Sequence, residues 1–345
     1  MKLSTSEDIL ELLEASVAST ALGAAIELGL FWMLDAHPMN VQEISSAIGI
    51  PLRRCSYWLQ ILQALDLIEL DSACYKLSST AQMAILKVYS QDTWALLAAE
   101  SRERMPVFIH LAHTIKHPGS VKEASGLSFY SYYALMEKDP ERARRFTRML
   151  FELHQPLAQD IAKFLDLSNV KQLMDIGGGS GVISMALLQR YPDLHATVVE
   201  IPNVCTAGRE LAAGQSIENR ITFHPANFLQ DALPRGFDLI LECDVNIYGK
   251  ELFFKIKNSL NPNGRFIIID QFAPEQGIAP PDRVHWAFEK SMINPEFMFA
   301  TAQEICTLLE DAGFQILTLT PLPIITDSRD GLQEKFFFIE TRGRG

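Results

Sequence analysis

The stretch Leu173-Met174-Asp175-Ile176-Gly177-Gly178-Gly179-Ser180-Gly181 decides how the rest of this chain is read. A short apolar run carries an acid near its end and then breaks into glycines. Behind it, Val182-Ile183-Ser184-Met185-Ala186-Leu187-Leu188 has the apolar content of a buried helix. Strand, glycine turn and helix in that order let the backbone approach a ligand closely, because a Cβ at those positions would stand in the way. A glycine cluster alone is a weak signal, so the neighbouring strands have to name the ligand.

Working outward, short β-rich runs alternate with helical ones beyond Val170. Strands are expected at 172–176, 195–200, 221–224, 237–243, 265–271, 315–320 and 334–340. That alternation predicts an α/β fold: a Rossmann-like, seven-stranded, mostly parallel sheet with right-handed crossovers. The last two strands, joined through Pro321-Leu322-Pro323 and a polar loop, are expected to pair antiparallel at one edge.

Upstream, Ser4 and Glu7 have the spacing of a capping box that opens a long helix. Ala15 to Leu34 is nearly uncharged, with only Glu27 ionised, so it should be buried, and against a second copy of the chain. From Asn40 to Leu77 the pattern is helix, turn, helix, hairpin. Asn40 and Glu43 form a second capping box, Gly49 breaks the helix, and Pro51 starts another that runs to about Leu65. Strands 67–70 and 75–77 then flank the turn Asp71-Ser72. This is an all-α/winged-helix arrangement, which DNA readers also use. Residues 1–90, however, hold five Lys and Arg against ten Asp and Glu, and lack the basic footprint of such a reader. Residues 91–170 read as helical, with Asp139-Pro140-Glu141 as a helix start. Tyr130, Tyr132 and Tyr133 are placed to roof a pocket over the glycine loop. The chain is therefore divided into a winged-helix dimerisation domain (1–105), linking helices that roof the site (106–165) and a ligand-binding Rossmann-like domain (166–345).

Composition bounds the function. A chain of 345 residues with 48% hydrophobic and 21% charged residues is an ordinary globular protein of two domains. The net charge of -12 argues against nucleic acid as a partner. No apolar run is expected to reach the ~18 residues of a membrane span. The N-terminus turns acidic at Glu7-Asp8, where a signal peptide would enter its apolar core. A cytoplasmic location is expected, without membrane partners. Cys55, Cys74, Cys205, Cys243 and Cys306 are scattered without a C-x-x-C pair, so neither a zinc ribbon nor a disulfide framework is indicated.

Three features fall at the C-terminal ends of consecutive strands, where open α/β sheets bind ligands. They are the glycine loop 177–181, Glu200 after Ala196-Thr197-Val198-Val199, and Ala226-Asn227-Phe228 after the third strand. A carboxylate at Glu200 can accept both hydroxyls of a ribose. Asn227 and Phe228 offer an amide and an aromatic face to an adenine. Neither a P-loop nor a clean G-x-G-x-x-G is present, so a phosphate is disfavoured. A nucleoside ending in an amino acid fits better, with Asp175 and the loop holding its ammonium group. S-adenosyl-L-methionine is that ligand.

These residues make the chain resemble the small-molecule O-methyltransferases of the plant caffeate and bacterial polyketide-tailoring type. The likeness runs through the winged-helix region, Asp139-Pro140-Glu141 to Phe146, Asp175 to Gly181, Glu200-Ile201-Pro202, Leu260-Asn261-Pro262-Asn263-Gly264-Arg265 and Leu309-Glu310-Asp311-Ala312-Gly313-Phe314. It implies a homodimer interlocked through the N-terminal domains. It also implies a cofactor held by Asp175, Gly177, Gly179, Glu200, Ile201, Asn227, Phe228 and Cys243. Asn227 stands where the family usually has Asp, and its carbonyl can still accept from an adenine amino group.

The departure from the family lies in the loop after the fourth strand. The His-Asp-Trp triplet, whose His deprotonates the acceptor, falls on Ile247-Tyr248-Gly249. The arginine usual before Thr301 is replaced by Ala300. A nucleophile that needs no base is therefore expected: an amine, an enolate or a carbanion. Asp244, Tyr248 and His285 are the candidate catalytic groups. Tyr130, Tyr133, His154 (where the family often has Ser beside the cofactor) and Glu289 are candidates for binding substrate. His285 and Glu289, four apart, share one face of a helix 282–291. No metal site is assigned. The expected function is methyl transfer to the O, N or C of a small metabolite. The alternatives are cyclisation or cleavage of the sulfonium itself, and a regulatory protein that binds the cofactor without turnover.

Overall fold

The computed structural model describes residues 3–127, 132–323 and 336–343. The chain forms two compact units, residues 1–109 and 110–345.

In the first unit, helix Ser6–Glu27 is capped by Thr5 and Asp8, not by Ser4 and Glu7. The spacing is that of the expected box, displaced by one residue. The Asp8 carboxylate accepts from the amides of Ser4 and Thr5 and from the Ser4 hydroxyl, and these bonds hold its pKa down to about 2. The run expected as continuous to Leu34 breaks at Gly29, whose φ of 73° ends one helix and starts the next, Leu30–Ala36. Ala21, Ala25 and Ile26 are buried with Phe31, Leu34, Leu59 and Leu62. Ile9, Leu10, Leu13 and Val17 are exposed. Ser6–Glu27 has the length and apolar composition of a membrane span. This corrects the expectation that no such run exists, although a core helix meets the same criterion and residues 21–26 are core here.

Helices Val41–Ile48 and Leu52–Ala64 follow, the first with the Asn40–Glu43 box and Gly49 as its left-handed cap. Strands β1 (Ile68–Asp71) and β2 (Cys74–Leu77) form an antiparallel hairpin. Its turn is Ser72-Ala73, one residue later than expected. Both residues have positive φ, 50° and 70°, which matches the twist of the flanking strands.

The second unit is built on seven strands: β3 (Gln172–Ile176), β4 (His195–Glu200), β5 (Ile221–Pro225), β6 (Phe237–Cys243), β7 (Leu260–Asp270), β8 (Phe314–Pro321) and β9 (Phe337–Gly343). They lie in the order β5-β4-β3-β6-β7-β9-β8. The neighbours from β5 through β7 are parallel, and β9 is antiparallel to both β7 and β8. The expected edge hairpin is thus inserted in reverse order, with the last strand inside. The burial pattern gives the reason. In β9 Phe338, Ile339 and Thr341 are buried, whereas β8 alternates buried or half-buried with exposed residues, as a strand with one wet face does.

Alternate residues feed two cores. Leu173, Leu239, Leu241, Ile267 and Ile269 pack under helices 155–164 and 182–190. Met174, Ile240, Phe266 and Ile268 pack under helices 250–259 and 302–311. The C-terminal ends of β3, β4, β5 and β6 carry the loops considered next.

Candidate active site

The glycine loop leaves β3 with Gly177, Gly179 and Gly181 at φ of 67°, 54° and 76°. The Gly177 amide donates to the Val199 carbonyl at 2.9 Å, which ties the loop to β4. The glycines are needed for different reasons. A Cβ on Gly178 would lie 2.5 Å from Asp175 Cγ, and one on Gly177 would lie 2.8 Å from Val245 Cγ2. At Gly179 a Cβ would meet nothing within 4 Å, so this is the open side of the loop.

Asp175 is not on that side. It is fully buried beneath the loop, and its Oδ2 accepts from Ser184 Oγ at 2.7 Å. Burial pushes its pKa up to about 6. Oδ1 is buried without a hydrogen-bond partner among the described residues. The expected contact with an ammonium group gives way to support of the loop from below.

Glu200 ends β4 and is 8% exposed. Oε2 accepts from the Ile201 amide at 2.6 Å. Burial raises its pKa to about 7, with the charge of Asp175 adding to the rise and the Ile201 and Gly179 amides opposing it. Ile201 itself packs into a small core with Met136, Ala143 and Val204. After β5, Asn227 is held on three sides. Its amide donates to Asp231 Oδ2 at 2.8 Å, its Oδ1 accepts from the Leu229 amide at 3.1 Å, and its Nδ2 donates to Tyr133 Oη at 3.2 Å. Phe228 lies beside Gly177, half-buried. Lys255, which nothing in the sequence singled out, pins this loop by donating to the carbonyls of Phe228, Leu229 and Asp231 at 3.3, 2.8 and 3.0 Å. Tyr133 is thus joined to the Asn227 loop. Tyr130 lies outside the described residues.

The loop after β6 is anchored at two carboxylates. Asp270, at the end of β7, is buried. Its Oδ2 accepts from the Asn246 amide at 3.0 Å and from Tyr248 Oη at 2.6 Å, and its Oδ1 accepts from the Gln271 amide at 2.7 Å. Burial and the charge of Asp244 push Asp270 up to about 7. Burial and the surrounding carboxylates hold Tyr248 well above the ordinary phenol range. Its ring lies 6.0 Å from that of Phe272. Tyr248 was expected to be catalytic, yet its hydroxyl is spent on Asp270. Burial first and neighbouring carboxylates second push Glu242 and Cys243 well above their ordinary ranges.

Asp244 meets two partners: His154 Nε2 lies 3.3 Å from Oδ2, and Arg283 Nη2 lies 3.1 Å from Oδ2 and 3.2 Å from Oδ1. Burial would raise its pKa, but His154 and Arg283 outweigh that and hold it below the ordinary carboxylate value. His285 does not join this group. It is exposed on helix Val284–Ile293, which begins after the short turn 281–283. The residue that reaches Asp244 is Arg283, two positions earlier. Glu289 is half-buried one turn beyond His285. Ile247 occupies the place expected of a base and is 38% exposed. Among the described residues, no three His, Cys, Asp or Glu side chains converge as metal ligands.

The O-methyltransferase domain family matches residues 108–315, more than half of the chain. The chain belongs to this family. It is an S-adenosylmethionine-dependent methyltransferase that acts on a small molecule. The chain is 26% identical over 314 residues to the N,N-dimethyltransferase OxyT of Streptomyces rimosus, covering 89% of this chain and 90% of that one. It is 25% identical over 312 residues to the tetracenomycin polyketide synthesis 8-O-methyl transferase TcmO of Streptomyces glaucescens, covering 89% and 91%. The solved structure of the mitomycin 7-O-methyltransferase MmcR shares the fold, with a TM-score of 0.81 at 20% identity over 98% of this chain and 97% of that one.

The residues present suit the cofactor of that family. Glu200 offers carboxylate oxygens to ribose hydroxyls, Asn227 Oδ1 offers an acceptor to an adenine amino group, Phe228 offers an aromatic face, and Gly179 leaves backbone open to approach.

Proposed function

We propose that this methyltransferase modifies a small secondary metabolite without a histidine base in the loop after β6. The observation that carries the reading is the cradle at the ends of β3, β4 and β5, together with an isoleucine at position 247 beside it. S-adenosylmethionine supplies an electrophilic methyl group on a sulfonium. The chain's own task is then to hold and orient. Glu200 and Asn227 fix the nucleoside, and the loop 244–248 lies on Gly177. In-line positioning removes much of the barrier to such a transfer. A general base adds only ~10²–10⁴-fold, and an amine or an acceptor already ionised needs none. Tyr248 spends its hydroxyl on Asp270, and Asp270 and Glu242 are buried at the end of β7 and within β6, so none of the three is presented to an acceptor in place of the missing base. OxyT and TcmO are named for N- and O-methylation respectively, and both outcomes suit an acceptor of this kind.

The wider reading follows from the first unit. Leu10, Leu13 and Val17 form one exposed apolar stripe on helix Ser6–Glu27, and a second copy of the chain is its proposed occupant. Residues 1–105 would then dimerise and the helices of 106–165 would cover the pocket, in a cytoplasmic enzyme without nucleic-acid or membrane partners.

The test is incubation of the purified chain with S-adenosylmethionine, with and without a metabolite extract, followed by mass spectrometry. S-adenosylhomocysteine that appears only with extract is the expected result. Methylthioadenosine formed without an acceptor, or unchanged cofactor in both, would overturn the reading. Ile247→His should leave the rate with the natural acceptor within about threefold, against the ~10²-fold or greater gain that a missing base would restore.

A further inference from the structure

Two residues of the loop after β6 have left-handed backbone: Asp244 at φ 53° and Asn246 at φ 57°. Asp and Asn enter this region more readily than other non-glycine residues, and here contacts at both ends of the loop hold it in place. Asp270 secures the far end of the loop through the Asn246 amide and the Tyr248 hydroxyl. The near end depends on Asp244, whose amide donates to the Ile269 carbonyl at 3.0 Å. Its carboxylate is gripped from two separate elements. His154 comes from the junction of helices Pro140–Leu153 and Gln155–Phe164, and Arg283 comes from the turn that precedes helix Val284–Ile293. Arg283 is itself oriented, with Nε donating to Gln271 Oε1 at 2.7 Å. Between these anchors Val245 presses its methyl groups onto Gly177.

Both ring nitrogens of His154 face acceptors. Nδ1 lies 2.9 Å from the Leu150 carbonyl, which can only accept. Nε2 lies 3.3 Å from the Asp244 carboxylate, which also accepts. Only the imidazolium donates to both.

We infer that His154, as an imidazolium, and Arg283 are positioning residues: together they clamp Asp244 and so hold loop 244–248 against Gly177, closing that side of the cofactor cradle. The clamp rests on the cradle being the cofactor site only for its consequence in binding. The geometry of the loop stands by itself.

A dependence on pH follows. Burial pushes the His154 imidazole down, but the hydrogen bond and charge of Asp244 and the Leu150 carbonyl outweigh it, against the opposing charge of Arg283, and the pKa lies above the ordinary 6.5. Asp244 in turn faces Glu242 and Asp270, whose pKa values its charge raises. A histidine with a raised pKa contributes fully below about 6.5, and that contribution is lost as pH climbs through the raised value.

Amide exchange of the full chain tests the clamp without any ligand. The reporters are the amides of Asp244 and Asn246, corrected for intrinsic exchange rates. His154→Ala should lower their protection about tenfold, the order expected for losing a hydrogen bond to a charged group. His154→Gln, which can donate to Asp244 at any pH, should keep the protection and remove its fall as pH rises above 6.5. Isothermal titration with S-adenosylhomocysteine should show a Kd about tenfold higher for His154→Ala and for Arg283→Gln. Unchanged protection in His154→Ala, or a wild-type pH profile in His154→Gln, would overturn the clamp. Lost protection without any S-adenosylhomocysteine binding by the wild type would uphold the clamp and overturn the cradle instead. Should His154→Ala fail to fold, the pH profile of His154→Gln decides.

Discussion

Replacing Glu200 by Gln separates the cost of burying a carboxylate from its use in binding. Folding takes this side chain to 8% exposure at the end of β4. Burial lifts its pKa from 4.5 to about 7. The folded chain therefore binds that proton more tightly than the unfolded chain does. The associated stability is complete below pH 4.5 and is lost as pH rises through about 7. At ~1.4 kcal/mol for each tenfold in proton affinity, the loss approaches about 3 kcal/mol above pH 8. Glutamine has no charge to bury and escapes that loss. Its carbonyl can still accept from the Ile201 amide, but its new buried N–H groups cost about 1–2 kcal/mol. The variant should therefore be more stable than wild type by about 1–2 kcal/mol at pH 8.5, or ~2–8 °C in Tm for a unit of this size. At pH 5 it should be no better, or worse. Thermal unfolding of the ligand-free chain across that range is the assay. The same substitution should raise the Kd for S-adenosylhomocysteine about ten- to a hundredfold, because two ribose hydroxyls lose a charged acceptor. A stability difference that does not vary with pH would refute the burial reasoning. An unchanged Kd would refute the ribose assignment.

Gly179→Ala and Gly214→Ala place a methyl at φ of 54° and 75° with nothing within 4 Å of either Cβ. Each should cost about 1–2 kcal/mol of stability through the left-handed backbone, but only the first should weaken S-adenosylhomocysteine binding, as titration would show. Tyr248→Phe removes the 2.6 Å bond to Asp270. It should lower stability by about 1–3 kcal/mol while kcat stays within about threefold; a collapse of kcat in a folded variant would restore a catalytic role to the hydroxyl. Leu13→Glu with Val17→Glu should convert a dimer to a monomer in sedimentation velocity with little change in the fold of the second unit, since both residues are exposed in the single chain.

Much of the fold was legible because its signals are local. Strands β3, β4 and β6 lie at the residues expected, since apolar runs bounded by turn residues define them. The Asn40–Glu43 cap, the Gly49 stop and the Asp139-Pro140 start act within four residues of sequence. Where two readings were equally local, the sequence did not choose between them: Thr5–Asp8 caps the first helix instead of Ser4–Glu7, because both pairs have the same spacing. The order of the last two strands was not legible either. It depends on which strand has two apolar faces to bury beside β7, a property of the assembled sheet.

The candidate site divides along the same line. The sequence by itself determined the cradle, because glycine backbone, an acid ending one strand and an amide with an aromatic after the next are each set within their own strand-to-loop junction. Only the tertiary structure decided what surrounds Asp244. His154 lies 90 residues before it and Arg283 lies 39 after it. Ion pairs over such separations form only once helices and sheet have packed, and the same packing commits Tyr248 to Asp270 and leaves His285 in solvent.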